Sequence, residues 1–242
     1  MSLTLIGTGI SFDLTISAID ALKKCDEIYL ETYTNLIEDE KIASLEELID
    51  KKITKLERKD VESRFLVNKA KTSHVALLVS GDPLIATTHV SLVIDAKKAK
   101  MPVKIIHNSS IYTAATGKTG LQMYKFGKTC SIPNPRPNYN PTSWFDIIKQ
   151  NLANDAHTLV LLDTEPQPMD AKIALELLEK VDKNSILKDK KIAVLSRIGE
   201  KDEKISYNET DKLAKSNLGK PPFAIIVPAK FHPIEKEFLE LQ

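Results

Sequence analysis

The sequence predicts an α/β fold whose first half is a parallel sheet, and three observations carry that reading. Strand-like apolar runs alternate with helix-like periodicity. The runs at residues 3–6 (LTLI) and 75–79 (VALLV) are continuous rather than alternating, as in strands buried on both faces. The 242 residues include 42% hydrophobic side chains, enough for a sizeable core in one or two domains.

The first strand ends at Gly7. Ile16, Ile19, Ala21 and Leu22 have the spacing of a helix facing the core, and residues 27–30 (EIYL) form the next strand, ending at Glu31. Residues 45–49 and 61–70 read as helices, the first with Ser44 as N-cap and Glu47 three residues on. After the strand at 75–79 come a helix over 88–99 and a strand over 103–106 (VKII). Right-handed crossovers place the carboxyl ends of parallel strands on one edge. Four segments therefore converge there: GTGIS (7–11), ETYT (31–34), SGDPLI (80–85) and HNSSI (107–111). Open sheets bind ligands outside that edge. The stretch SGDPLIATTH carries two threonines and a histidine beyond what a turn needs, so it is expected to wall a cleft.

The second half differs. Residues 120–133 are strand and turn, and the prolines at 135, 137 and 141 make 134–141 a loop. A helix is expected over 144–152, a strand over 158–162 (TLVLL) ending in Asp163, and a helix over 169–180. Strands at 191–196 (KIAVLS) and 223–227 (FAIIV) complete a second sheet. Gly117 and Gly120 mark the passage between two domains.

Composition removes several functions. Lys and Arg number 34 against 33 Asp and Glu, without the basic excess of a general nucleic-acid binder. Cys25 and Cys130 are far apart and read as thiols. No basic leader and no apolar run long enough for a membrane span is apparent, so a soluble cytoplasmic protein without membrane contact is expected. Gly117-Lys118-Thr119 ends like a phosphate-binding loop, but Tyr112 stands where its first glycine belongs. Gly7-Thr8-Gly9 begins like a dinucleotide fingerprint, but Phe12 replaces the third glycine; Glu31 would suit a ribose in that alternative, a nicotinamide-dependent dehydrogenase. The histidines at 74, 89, 107, 157 and 232 lack ligand spacing, so no metal is expected. His89 and His107 lie near the expected cleft and read as structural. No GxSxG elbow is present. The basic stretch 51–59 reads as a solvated surface. Glycines, short hydroxyls and a few acids suit the alignment of an activated methyl donor, and alignment alone supplies about 7–11 kcal/mol.

The motifs LIGTGI (5–10), YLETYT (29–34), GDPLIATTH (81–89), HNSSIYTA (107–114), GLQMYKFGKTCSI (120–132), HTLVLLD (157–163) and SRIG (196–199) span most of the chain in order. Together they resemble the diphthine synthases, a family of the tetrapyrrole methylase-like superfamily of S-adenosylmethionine-dependent methyltransferases. The resemblance implies two α/β domains (1–114 and 115–242) with a cofactor cleft between them, and a homodimer. It implies S-adenosyl-L-methionine as cofactor, leaving S-adenosyl-L-homocysteine, and contacts from Ile10, Asp82, Ile85, Ser110, Ile111, Leu162, Ile198 and Phe223. It also implies a protein substrate, translation elongation factor two, whose modified histidine is methylated repeatedly on its amino group in diphthamide biosynthesis. Glu31, Tyr33 and Thr34 would then face the acceptor. Within the same superfamily, a corrin or porphyrin ring methyltransferase is the alternative. Phe223 stands where the family usually has histidine. An α-amino acceptor has a free pKa of about 7.7–8.0, so about a tenth is neutral at pH 7 and deprotonation costs only about 1.4 kcal/mol. No catalytic acid or base is assigned on these grounds.

Overall fold

The computed structural model describes residues 1–34 and 37–241 and divides into two compact units, Met1–Ile111 and Tyr112–Gln242. In the first, β1 (Ser2–Gly7), β2 (Glu27–Glu31), β3 (Ile53–Leu56), β4 (His74–Val79) and β5 (Val103–Ile106) form one sheet in the order β3-β2-β4-β1-β5. Every neighbouring pair is parallel. The helices between them are α1 (Ile16–Lys24), α2 (Asp39–Ile49), α3 (Arg58–Val61), α4 (Phe65–Lys69) and α5 (Val90–Lys98).

The continuous apolar run of β4 has a simple cause. Val75, Leu77 and Val79 join a core with Leu66, Leu92 and Ala96 from α4 and α5. Ala76 and Leu78 join another with Leu22, Ile42 and Leu45 from α1 and α2. Successive side chains point to opposite faces, and both faces are covered.

Local expectations are corrected in two places, and a third, the solvated surface at 51–59, gains an edge strand. Helix α2 begins at Asp39, so Ser44 is mid-helix, and its hydroxyl donates to the Glu40 carbonyl one turn back at 2.8 Å instead of capping. The helix expected over 61–70 is two short pieces, α3 and α4. The basic stretch 51–59 contains the edge strand β3, flanked by pairs of Lys52 with Glu46 (2.8 Å) and Lys55 with Asp39 (2.5 Å). Lysines on an edge strand discourage pairing with another chain.

Helix α6 (Ile111–Thr119) follows, taking in Gly117-Lys118-Thr119. Thr119 donates its hydroxyl to the Ala115 carbonyl at 2.7 Å, so this segment is helix and not a phosphate cradle. The second unit continues through a 3-10 turn at Met123–Lys125, β6 (Cys130–Ile132), α7 (Ser143–Ala153), β7 (Thr158–Leu162), α8 (Ala171–Val181) and β8 (Lys191–Ser196). Then come β9 (Lys204–Glu209), α9 (Thr210–Lys215), β10 (Phe223–Val227) and α10 (Pro233–Glu240). The sheet order is β6-β7-β10-β8-β9, parallel between β6 and β7 and antiparallel elsewhere. Trp144, Phe145 and Ile148 of α7 and Leu175 and Leu178 of α8 pack on Ile132, Val160, Val194 and Ile225. Among the described residues, no helix is long and apolar enough to cross a membrane.

Candidate functional site

In the first unit the loops leaving β1, β4 and β5 are tied into one piece. Gly9 and Gly81 exchange backbone hydrogen bonds of 3.1 and 3.0 Å, with φ of +74° and +71°, a region that favours glycine. Thr8 donates its N–H to the Val79 carbonyl at 2.8 Å. The approach is close: a Cβ on Gly7 would stand 2.5 Å from the Gly81 oxygen. Asn108 then links β1 to β5. Its Nδ2 donates to the carbonyls of Gly7 (3.1 Å) and Asp13 (2.8 Å), and its Oδ1 accepts from Ser109 N (2.8 Å). Ser109 Oγ accepts from the Ile10 N–H at 3.1 Å.

Asp82 closes the arrangement. Its carboxylate is buried; Oδ1 accepts from Leu84 N at 3.0 Å, and Oδ2 accepts from His107 Nδ1 at 2.8 Å and Asn108 N at 3.3 Å. Both oxygens are thus occupied by the scaffold. Ile10, Asp82, Ser110 and Ile111 are carried by these joined loops. Ile85 follows on the β4 loop, its N–H on the Asp82 carbonyl at 3.3 Å and its side chain 43% exposed.

The β2 loop is built around Glu31. The residue is 1% exposed. One carboxylate oxygen accepts from the Tyr33 and Thr34 N–H groups, both at 3.1 Å. The other accepts from the Thr34 hydroxyl and, at 3.4 Å, from Ser80 N. A carboxylate so enclosed cannot receive a ribose, which removes the dinucleotide reading of this residue. Tyr33 donates its hydroxyl to His89 Nε2 at 3.0 Å, because Nδ1 of that ring donates to the Pro83 carbonyl at 3.1 Å. The Arg58 guanidinium lies 5.0 Å from the centre of the Tyr33 ring. Burial pushes the His89 imidazole below its ordinary value, against the pull of the Glu31 charge. Thr87 also donates to the Pro83 carbonyl, at 2.8 Å. Asp82, Thr87 and His89 of GDPLIATTH thus hold the shape of the joined loops, where the sequence pointed to ligand contact, and Thr88 is exposed.

In the second unit Leu162, Ile198 and Phe223 meet at one sheet edge. Phe223 pairs with Ser196 on β8 and precedes Ala224, whose partner on β7 is Leu161, so it stands level with Leu162. Past Ser196 the chain turns through Arg197 (φ 48°), whose N–H donates to the Pro222 carbonyl at 3.0 Å, and delivers Ile198 to the same edge. Ser196 Oγ donates to the Lys220 carbonyl at 2.6 Å and fixes the turn into β10. All three apolar residues are buried.

A further cluster gathers the GLQMYKFG segment and α10. Glu235 is buried and accepts from the N–H groups of Gln122 (2.9 Å) and His232 (2.7 Å), with Lys125 Nζ at 3.6 Å. Ala229 donates to His157 Nδ1 at 2.9 Å, so His157 Nε2 carries the proton facing Glu235, at 3.4 Å. Burial depresses His157. Burial alone would raise Glu235, but these donors more than offset it and hold the carboxyl below its usual range.

The chain matches the Tetrapyrrole (Corrin/Porphyrin) Methylases over residues 2–214. It is 39% identical over 237 residues to a diphthine synthase of Methanococcus aeolicus, covering 94% of this chain and 92% of that one. With a diphthine synthase of Methanocaldococcus jannaschii it shares 40% over 239 residues, covering 94% and 93%. A crystal structure of a diphthine synthase superposes with a TM-score of 0.90 at 35% identity, covering 100% of this chain and 95% of that one. The chain belongs to the tetrapyrrole methylase family, among its diphthine synthases. It is therefore an S-adenosylmethionine-dependent methyltransferase.

The residues present fit that donor. None of the segments GTGIS, ETYT, SGDPLI and HNSSI contains Lys or Arg, so their own side chains offer no fixed positive charge against a sulfonium. Among the described residues the Thr8 hydroxyl is buried without a hydrogen-bond partner, a cost of about 1–3 kcal/mol that a close-packed loop normally avoids. Asn108 and Ser109 lie in the HNSSI segment expected at this edge, but the sequence assigned neither a role; nothing in the spacing pointed to Arg58.

Proposed function

We propose that this chain transfers methyl groups from S-adenosyl-L-methionine to the amino group of the modified histidine of translation elongation factor two, repeatedly, in diphthamide biosynthesis, and that it works as a homodimer in the cytoplasm. The observation that carries this reading is the likeness to diphthine synthases over 94% of the chain. Ile10, Ile85, Ser110 and Ile111 from the first unit and Leu162, Ile198 and Phe223 from the second hold the donor. Asp82 contributes through its main chain, because its carboxylate is already engaged. Once bound, the donor supplies an activated methyl carbon, and the protein's part is alignment. Glu31, Tyr33 and Thr34 serve the acceptor by fixing the shape of the loop that meets it.

Labelled S-adenosylmethionine incubated with elongation factor carrying the unmethylated precursor tests the reading. Mass spectrometry should find successive methyl additions on the precursor amine. The family's name gives a second reading, a corrin or porphyrin ring as acceptor. Methylation of uroporphyrinogen with the elongation factor left untouched would establish it instead.

A further inference from the structure

Asp82 and His107 face each other where the β4 and β5 loops join. His107 Nδ1 donates to Asp82 Oδ2 at 2.8 Å, and the carboxylate is buried and held by Leu84 N and Asn108 N. With Nδ1 donating, a neutral ring carries its lone pair on Nε2. That nitrogen has no hydrogen-bond partner among the described residues, and the side chain is 66% exposed. The other histidines differ. His89 Nε2 receives the Tyr33 hydroxyl, His157 is buried with both nitrogens engaged, and His74 contacts Ser2 and the Met1 amino group at the start of β4. His232 spends its ring lone pair on the Glu235 N–H as the N-cap of α10, so its other nitrogen carries the proton of a neutral ring.

The proposed reaction has a task for a proton acceptor. Resting on the proposed amine acceptor, about nine-tenths of that group is ammonium at pH 7. After each methyl transfer the nitrogen is cationic again and must lose a proton before the next. We propose that His107, oriented by Asp82, is the catalytic proton acceptor. The ammonium N–H bond breaks, its electron pair stays on nitrogen, and the proton goes to His107 Nε2. The Asp82 carboxylate stabilises the imidazolium, and the exposed ring then gives the proton to water, restoring itself for the next turn.

Two variants separate this role from loop scaffolding. His107→Asn keeps an amide donor for Asp82 but has no Nε2 lone pair; His107→Ala has neither. Both should take up S-adenosylmethionine with a Kd within about twofold of the parent, and both should methylate the precursor about 10-fold more slowly, the factor that the neutral tenth of the amine leaves to a base. Nitrogen NMR of the parent should show His107 protonated at Nδ1. An asparagine variant methylating within about threefold of the parent would overturn the assignment. So would donor affinity falling along with the rate, or a His107 protonated at Nε2 instead. Parent protein that takes up the donor but leaves the amine unmethylated overturns the proposed function, and the proton acceptor with it.

Discussion

Replacing Gly7 with alanine tests whether the close approach of the β1 and β4 loops shapes the donor site. The added Cβ would lie 2.5 Å from the Gly81 carbonyl oxygen, 3.0 Å from Asn108 Cβ and 3.0 Å from Pro83 Cδ. None of these is the free end of a flexible side chain, so the loops must separate. Overpacking of this kind costs about 1–3 kcal/mol. At roughly 2–4 °C per kcal/mol for a chain of this size, Tm should fall by roughly 2–12 °C. Function should suffer more, because the same loops carry Ile10 and Asp82, and a displacement of about 1 Å can cost about 100-fold in rate. Gly81→Ala is the contrasting variant: its nearest neighbour is 3.7 Å away, but its φ of +71° makes any side chain strained. Its loss should come from backbone strain, roughly 1–2 kcal/mol, with space left for the methyl group. Scanning calorimetry and titration with S-adenosylmethionine measure both effects. A Gly7→Ala protein with parental Tm and donor affinity would refute the argument that the crossing is tight.

Two further outcomes are expected. Tyr33→Phe leaves His89 Nε2 buried without its donor and should cost about 1–3 kcal/mol in urea unfolding; a loss below about 0.5 kcal/mol would show that the Tyr33–His89 bond does not hold the β2 and β4 loops together. His89 and His157 are both depressed by burial, so the unfolded chain binds more protons than the folded one once pH drops below about 6.5. Their contribution is complete above that pH and declines as pH falls toward the folded values. Unfolding free energies equal at about pH 8 and about pH 5 would contradict it.

The parallel sheet was legible because burial on both faces leaves a mark in the sequence. β4 feeds two cores at once, so five consecutive residues must be apolar. Strands β3 and β9 left no such mark. Each is an edge strand, and β9 reads KISYNE with no residue fully buried. Helix α6 was hidden because its buried positions include Thr116 and Thr119, whose hydroxyls return to the helix's own carbonyls. Buried polar clusters were illegible for a different reason. Glu235 and His157 are separated by 78 positions, and nothing local to either marks the pairing.

The candidate site shows the same limit at closer range. Polar side chains drew attention to GDPLIATTH and YLETYT as ligand-contacting segments, yet Asp82, Thr87, His89 and Glu31 direct their hydrogen bonds into the loops themselves. Apart from the exposed Thr88, these loops present mainly main chain and apolar surface. In the second unit, Phe223 likewise has its side chain buried and its backbone fixed against Ser196. His107 is the exception among these polar groups. It spends one nitrogen on the scaffold and keeps the other exposed, as expected of a group that works on a substrate.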